Sequence, residues 1–403
     1  MRIGLSVPDV GPAEQDAMSR VLAEGWIAPV GPDLDRFEQA LCARTGRARA
    51  VAVSSGTAAL HLQLLAAGIG PGEGVICPTL TFVATANAIT YTGATPILVD
   101  CDDTGNIDPD LVEEAFESAR HAGTPVRAVL PVDVYGKVAD HRRLGEIADR
   151  HGALLMVDAA ESLGARRDGV PAGKHGMSAA VSFNGNKIIT TSSGGAVLTD
   201  DHALADRVLH LATQAKEPVA HFLHREVGYA YRMSNVLAAL GTAQLTRLDD
   251  FLAARRGHRA RYTELCDSVE SLRILGGADD EDNCWLTVLE LTDPGDQVVT
   301  IETLAAELAS QGIETRRVFT PLHRQPLHAD PERTPRVVNG TAERLFATCL
   351  AVPSSARSSS RDIDEVCGII EAVMSRSDRI GSGRTRSITP YLSSGRSPSG
   401  AAA

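Results

Sequence analysis

Residues 154–162 read Leu-Leu-Met-Val-Asp-Ala-Ala-Glu-Ser. An apolar run closed abruptly by an acid predicts a buried central strand with Asp158 at its carboxyl end, because strands covered on both faces are written as near-continuous apolar stretches. Similar runs flank it: Ala-Val-Ala-Val (50–53), Gly-Val-Ile-Cys (74–77), Pro-Ile-Leu-Val (96–99), Arg-Ala-Val-Leu-Pro-Val (127–132), Ala-Ala-Val-Ser-Phe (179–183) and Gly-Ala-Val-Leu-Thr (195–199). Helix-like segments alternate with them. Residues 61–67 are rich in Leu and Ala, and Leu144, Ile147 and Ala148 recur at the spacing of one buried face. This alternation predicts an α/β protein with a mainly parallel, seven-stranded sheet wrapped by helices.

Upstream, residues 12–45 read as two helices around the turn-rich stretch from Gly25 to Pro32, with Leu34, Phe37 and Leu41 on one stripe. They predict an N-terminal helical arm (1–45) beside a large domain (46–235). Downstream come a long helical stretch from Asn235 through Tyr262, an apolar strand-like run from Cys284 to Leu291 and a helix from Ile301 to Gln311. These predict a smaller C-terminal α/β domain (236–375). A last helix from Arg361 to Met374 carries Ile363, Val366, Ile369 and Ile370 at helical spacing. Residues 376–403 are rich in Ser, Gly, Arg and Pro and are expected to be disordered. Their arginines (Arg376, Arg379, Arg384, Arg386 and Arg396) suit a solvated extension better than an anion site.

A formal net charge of -12 and a pI near 5.5 leave no basic footprint for nucleic acid or for an electrostatically held membrane surface, so a small-molecule ligand is expected. The N-terminus has no apolar leader core, and no stretch of about 18 apolar residues occurs; the expected location is the cytoplasm. The seven cysteines are scattered and never spaced as C-x-x-C, which signals neither a disulfide framework nor a zinc site.

Three features carry chemistry. Ser54-Ser55-Gly56-Thr57-Ala58-Ala59-Leu60 follows a strand-like run and opens a helix. Amides at a helix start favour an anion such as phosphate, although an isolated motif of this kind reads equally as a capped helix. Asp158 stands where ligands of open α/β sheets collect, and a carboxylate there suits a heteroaromatic nitrogen that must stay protonated. Lys187, in Ser182-Phe183-Asn184-Gly185-Asn186-Lys187-Ile188-Ile189, lacks the charged neighbours of a surface lysine. Partial burial would leave its amine free to attack an aldehyde. Phosphate, ring nitrogen and aldehyde are three demands of one cofactor, pyridoxal 5'-phosphate.

With these residues in view, the chain resembles the DegT/DnrJ/EryC1/StrS sugar aminotransferases, from about Leu5 to Met374. The match runs through Gly25-Trp26-Ile27-Ala28-Pro29-Val30-Gly31-Pro32, Ser55–Leu62, Thr81–Asn87, Tyr135-Gly136, Asp158–Ser162, the Lys187 segment and Gly228-Tyr229-Ala230-Tyr231-Arg232-Met233-Ser234-Asn235. The wording around Lys187 is most similar to the branch that aminates UDP-linked 4-keto-6-deoxy-N-acetylhexosamines, as in bacillosamine-type pathways, and to the GDP-perosamine synthases. The resemblance implies a type I aminotransferase fold and a homodimer in which each site is completed by the neighbouring subunit. It makes Lys187 the Schiff-base lysine and Asp158 the partner of the pyridine nitrogen. Phe82 would stack on the ring, Gly56, Thr57 and Ser182 would hold the phosphate, and Glu161 would lie near the ring hydroxyl. Asn186 and His323 become substrate candidates, and Arg316 or Arg317 reads equally as an anion contact or a surface cation. One departure stands out: relatives place Asn, which reaches the partner's cofactor phosphate, where this chain has Ala230.

The expected reaction is a two-stage transfer of an amino group from an amino acid, by resemblance glutamate, to a nucleotide-linked ketosugar, with Lys187 as base. Two alternatives share the fold. A pyridoxal-phosphate sugar dehydratase would have histidine in place of Lys187. A non-catalytic cofactor-binding regulator is disfavoured by the intact Lys187 and Asp158. A nicotinamide-dependent oxidoreductase would need a Gly-x-Gly-x-x-Gly turn that Ser54–Ala59 does not supply.

Overall fold

The computed structural model describes residues 1–277, 279–292 and 299–383. Two helices, α1 (Pro12–Glu24) and α2 (Pro32–Thr45), lead in; each has a proline in its first turn, and each ends at a glycine in the left-handed conformation, Gly25 and Gly46. That pairing is favourable because proline gives up an amide the first turn leaves unused, and glycine reaches positive φ without strain.

The main sheet is built from β1 (Arg49–Val53), β2 (Gly74–Pro78), β3 (Thr95–Val99), β4 (Val126–Val129) and β5 (Leu154–Asp158) and, after a short β6–β7 hairpin (Arg166–Arg167, Val170–Pro171), from β8 (Ser178–Ser182) and β9 (Gly195–Thr199). Its strand order is β1-β9-β8-β5-β4-β2-β3, and β9 alone runs against its neighbours. Successive side chains go to opposite faces. Ile76, Val129, Leu155 and Val157 enter one core layer, while Val75, Cys77, Ala128 and Met156 enter the other. Between the strands run α3 (Gly56–Ala66), α4 (Ala84–Tyr91), α5 (Pro109–His121) and α6 (His141–Arg150), and α7 (His202–Ala212) follows the last of them.

A second, wholly antiparallel sheet has the order β10-β11-β14-β12, from β10 (Leu272–Ile274), β11 (Thr287–Leu291), β12 (Arg316–Arg317) and β14 (Cys349–Val352), with its own apolar layer around Leu289, Leu304 and Ile370. This smaller unit is entered through α8 (Asn235–Thr246) and α9 (Leu248–Ser268), and α10 (Ile301–Ser310) and α11 (Thr341–Thr348) lie between its later strands.

Four expectations are corrected. The main sheet has eight strands, because β13 (Arg336–Val337) returns from the C-terminal part and pairs in parallel with β3, where Leu98 donates to the Pro335 carbonyl and Asp100 to that of Val337. The helical stretch from Asn235 is two helices broken at Arg247, whose guanidinium reaches back to Asp9 and Glu14. The strand-like run from Cys284 starts only at Thr287, since the Asp282 and Asn283 side chains accept from the Cys284 and Trp285 amides and fold the chain into turns. The last helix, α12, spans Ser360–Gly383, well past Met374, because no proline interrupts residues 375–383. The remainder of the expected disordered tail, 384–403, lies outside the described residues. Among the described residues no helix is long and apolar enough to cross a membrane, and the cysteines are free thiols.

Candidate active site

The carboxyl ends of β1, β5 and β8 open onto one cavity of about 470 Å³. Its wall includes Ser55, Gly56, Thr57, Phe82, Asp158, Glu161, Ser182, Asn186 and Lys187, and from the smaller unit Trp285, Arg316, Arg317 and Phe319. Residues as far apart as 56 and 319 therefore meet in one place, as the strand-end rule requires.

At the end nearest β1, Ser55 caps α3 by accepting from the Ala58 amide at 3.0 Å. The Gly56 and Thr57 amides make no hydrogen bond to a described residue. A Cβ on Gly56 would lie 2.8 Å from the Cβ of Ser182, so only glycine lets the helix start press against β8. Free amides, the Thr57 and Ser182 hydroxyls and the positive end of α3 make an anion cradle fit for a phosphate.

Asp158 ends β5, 4% exposed. Burial pushes its carboxyl up to about 6, and the Glu161 charge adds to this; hydrogen bonds from Thr85 Oγ1 (2.8 Å) and the Ala160 amide (3.1 Å) pull the other way. A carboxylate held in so dry a place is strongly favoured to ionise by a cation beside it, which is what a protonated ring nitrogen provides.

Lys187 follows β8 in a tight turn, its amide donating to the Asn184 carbonyl at 3.0 Å. Its Nζ donates to Glu161 Oε1 at 3.1 Å and lies 4.1 Å from the centre of the Trp285 ring. The other Glu161 oxygen accepts from the Tyr135 amide at 2.8 Å. Phe82 is half exposed on the cavity wall, its ring 6.0 Å from that of Phe319.

Eight of the nine residues singled out from sequence thus gather around one space. His323 does not. Its Nδ1 meets Thr79 Oγ1 and its Nε2 meets Glu343, both at 2.7 Å, which leaves the imidazole behind the wall rather than on it. Arg316 and Arg317 both reach the wall, Arg317 paired with Glu302 at 2.8 Å and Arg316 with Glu314 at 3.3 Å. Sequence reasoning gave no role to Thr85, Tyr135 or Trp285. The first two sat inside matched segments without a signal for what they hold, and Trp285 was hidden in a run read as strand.

An anion cradle, a dry carboxylate and a lysine around one cavity, on this fold, define a pyridoxal-phosphate-dependent aminotransferase. Comparison with known proteins agrees. The model of the DegT/DnrJ/EryC1/StrS aminotransferase family matches residues 8–371. The chain is 38% identical to EpsN of Bacillus subtilis, a pyridoxal phosphate-dependent aminotransferase by name, over 93% of this chain and 95% of that protein. It is 36% identical to the GDP-perosamine synthase of Caulobacter vibrioides, over 93% and 98%. The crystal structure of a DegT DnrJ EryC1 StrS aminotransferase from Brucella abortus superposes with a TM-score of 0.83 at 29% identity, over 90% of this chain and 95% of that one. The chain belongs to the DegT/DnrJ/EryC1/StrS aminotransferase family.

Proposed function

We propose that this enzyme transfers an amino group from an amino acid, L-glutamate, to the C4 keto group of a nucleotide-linked 4-keto-6-deoxy sugar. The convergence of Lys187, Asp158 and the start of α3 on one cavity carries the reading. The sugar half is supported by the likeness to GDP-perosamine synthase.

When bound, pyridoxal phosphate supplies a conjugated ring that withdraws electrons from the carbon bearing the exchanged nitrogen. The chain's own residues hold, orient and move protons. Gly56, Thr57 and Ser182 would grip the phosphate, Asp158 would accept from the ring nitrogen, Phe82 would cover a ring face and Glu161 would stand at the ring hydroxyl. Lys187 would carry the cofactor covalently. Once its amine is free, it is the base tethered beside the carbon that loses a proton, a placement that saves the entropy of bringing in a base from solution. Asn186 and an arginine at 316 or 317, all on the cavity wall, would meet the sugar nucleotide. His323, held off the wall by Thr79 and Glu343, would not touch the sugar. We take the working unit to be a homodimer, in which Ala230 would face the partner's phosphate.

The test is a screen of purified enzyme and glutamate against UDP-, GDP- and dTDP-linked 4-ketosugars, with product mass as the readout. A mass one amino group richer is expected with one of them; amination of none would overturn the sugar reading.

A further inference from the structure

Trp285 is fastened more completely than packing alone requires. Its amide donates to Asn283 Oδ1 at 2.8 Å and its carbonyl accepts from the buried Arg255 guanidinium at 2.7 Å. Its indole N–H donates at 2.6 Å to the carbonyl of Asn186, the residue before Lys187. Tyr135, also on the cavity wall, stacks with it at 6.5 Å and an inclination of 13°, and Tyr135 sits at φ 57°, a conformation that costs a non-glycine residue energy. The strained amide of Tyr135 holds Glu161, and Glu161 holds Lys187. The Lys187 Nζ lies over the Trp285 ring, 4.1 Å from its centre, inside the range of a cation–π contact.

We propose that Trp285 is a positioning residue for Lys187: its indole face and the Glu161 carboxylate form a seat for the lysine ammonium, both in the cofactor-free chain and, during turnover, after the released neutral amine has taken up a proton and before it gives that proton up. The proposal rests on Lys187 being the residue that bears the cofactor. A flexible side chain of four methylenes would otherwise sample many rotamers at each turnover. Held between a π face and an anion, and with Asn186 tied to the same indole, it finds its proton-transfer position each time.

The chain's only tryptophans are Trp26 and Trp285, so a Trp26→Phe variant of the full chain reports on Trp285 alone. In that background, without added cofactor, Lys187→Met is expected to shift the tryptophan emission, whereas Lys187→Arg, which keeps a cation, is expected to stay near the parent. Emission unchanged in Lys187→Met removes the seat. In the cofactor-loaded enzyme, Trp285→Leu is expected to lower kcat by roughly two- to thirty-fold, the span of cation–π energies, with cofactor affinity and the KM for glutamate held. Trp285→Phe should recover much of that loss. Equal losses in Phe and Leu, or a KM and melting temperature that move while kcat stays, would show a structural tryptophan only. Should Trp285→Leu fail to fold, the emission experiment decides alone. The site assignment itself falls separately, if Lys187→Ala still binds cofactor covalently and turns over.

Discussion

The dryness of Asp158 makes a signed forecast for Asp158→Asn. In the chain without cofactor its carboxyl is pushed from 3.8 up to about 6. The folded state therefore binds the proton more tightly than the unfolded chain does. The resulting penalty is absent below the unfolded pKa, grows as pH rises between the two values and is complete above the folded one. About two units at ~1.4 kcal/mol each make it roughly 3 kcal/mol at about pH 8, and the same relation leaves about 1 kcal/mol near pH 4.5. Asparagine removes the penalty and keeps one oxygen for Thr85 or Ala160, at a cost of about 1 kcal/mol for an amide N–H without an acceptor. Asp158→Asn should thus be about 2 kcal/mol more stable than the parent near pH 8 and equal to it near pH 4.5. For a chain of 403 residues this is roughly 2 °C in melting temperature, at about 2.1 cal/mol/K of unfolding entropy per residue. The opposite is expected of function, because a hydrogen bond to a charged partner contributes about 1.5–3 kcal/mol, or roughly 10- to 150-fold in cofactor affinity. Thermal melts of cofactor-free protein at the two pH values and a cofactor titration read both effects. A variant that melts below its parent near pH 8 would refute the claim that this carboxylate is a strained, functional charge.

Lys187→Ala is expected to lose the near-visible absorbance of covalently held cofactor, its shift on adding glutamate, and turnover; retained turnover would dismiss Lys187. For Gly56→Ala, a Cβ 2.8 Å from that of Ser182 forces the helix start off β8, at a cost of about 1–3 kcal/mol, so cofactor affinity should fall in an absorbance titration while the fold persists by circular dichroism. Cofactor affinity in the parent should weaken as pH falls through about 6, where Asp158 takes up its proton, and Glu161→Gln should move that midpoint to lower pH because the Glu161 charge helps to raise it. Ala230→Asn should tighten cofactor binding roughly 10- to 150-fold, about 1.5–3 kcal/mol for one hydrogen bond to a charged phosphate, if the partner subunit completes the site.

What the sequence made legible was whatever is written in neighbouring residues. The run ending at Asp158 announced both a central strand and a carboxylate at its tip, and Ser55-Gly56-Thr57 announced a helix start. Lys187 could be told from a surface lysine only in company with these two. The contacts that tune the site join residues far apart in the chain, such as Thr85 to Asp158, Tyr135 to Glu161 and Trp285 to Asn186. No local period encodes such pairs. The misread elements have the same origin. Asp282 and Asn283 turn an apolar run away from strand by capping two amides, and Arg247 breaks a continuous helical pattern while its side chain is tied to Asp9 and Glu14. The first brings Trp285 beside Lys187, and the second marks the chain's passage from the large sheet toward the smaller unit, whose Arg316, Arg317 and Phe319 close the far wall. Regular elements place the candidate cofactor residues because strand ends and helix starts are where a sheet exposes them; the side chains that would adjust the lysine come from the places where regularity stops.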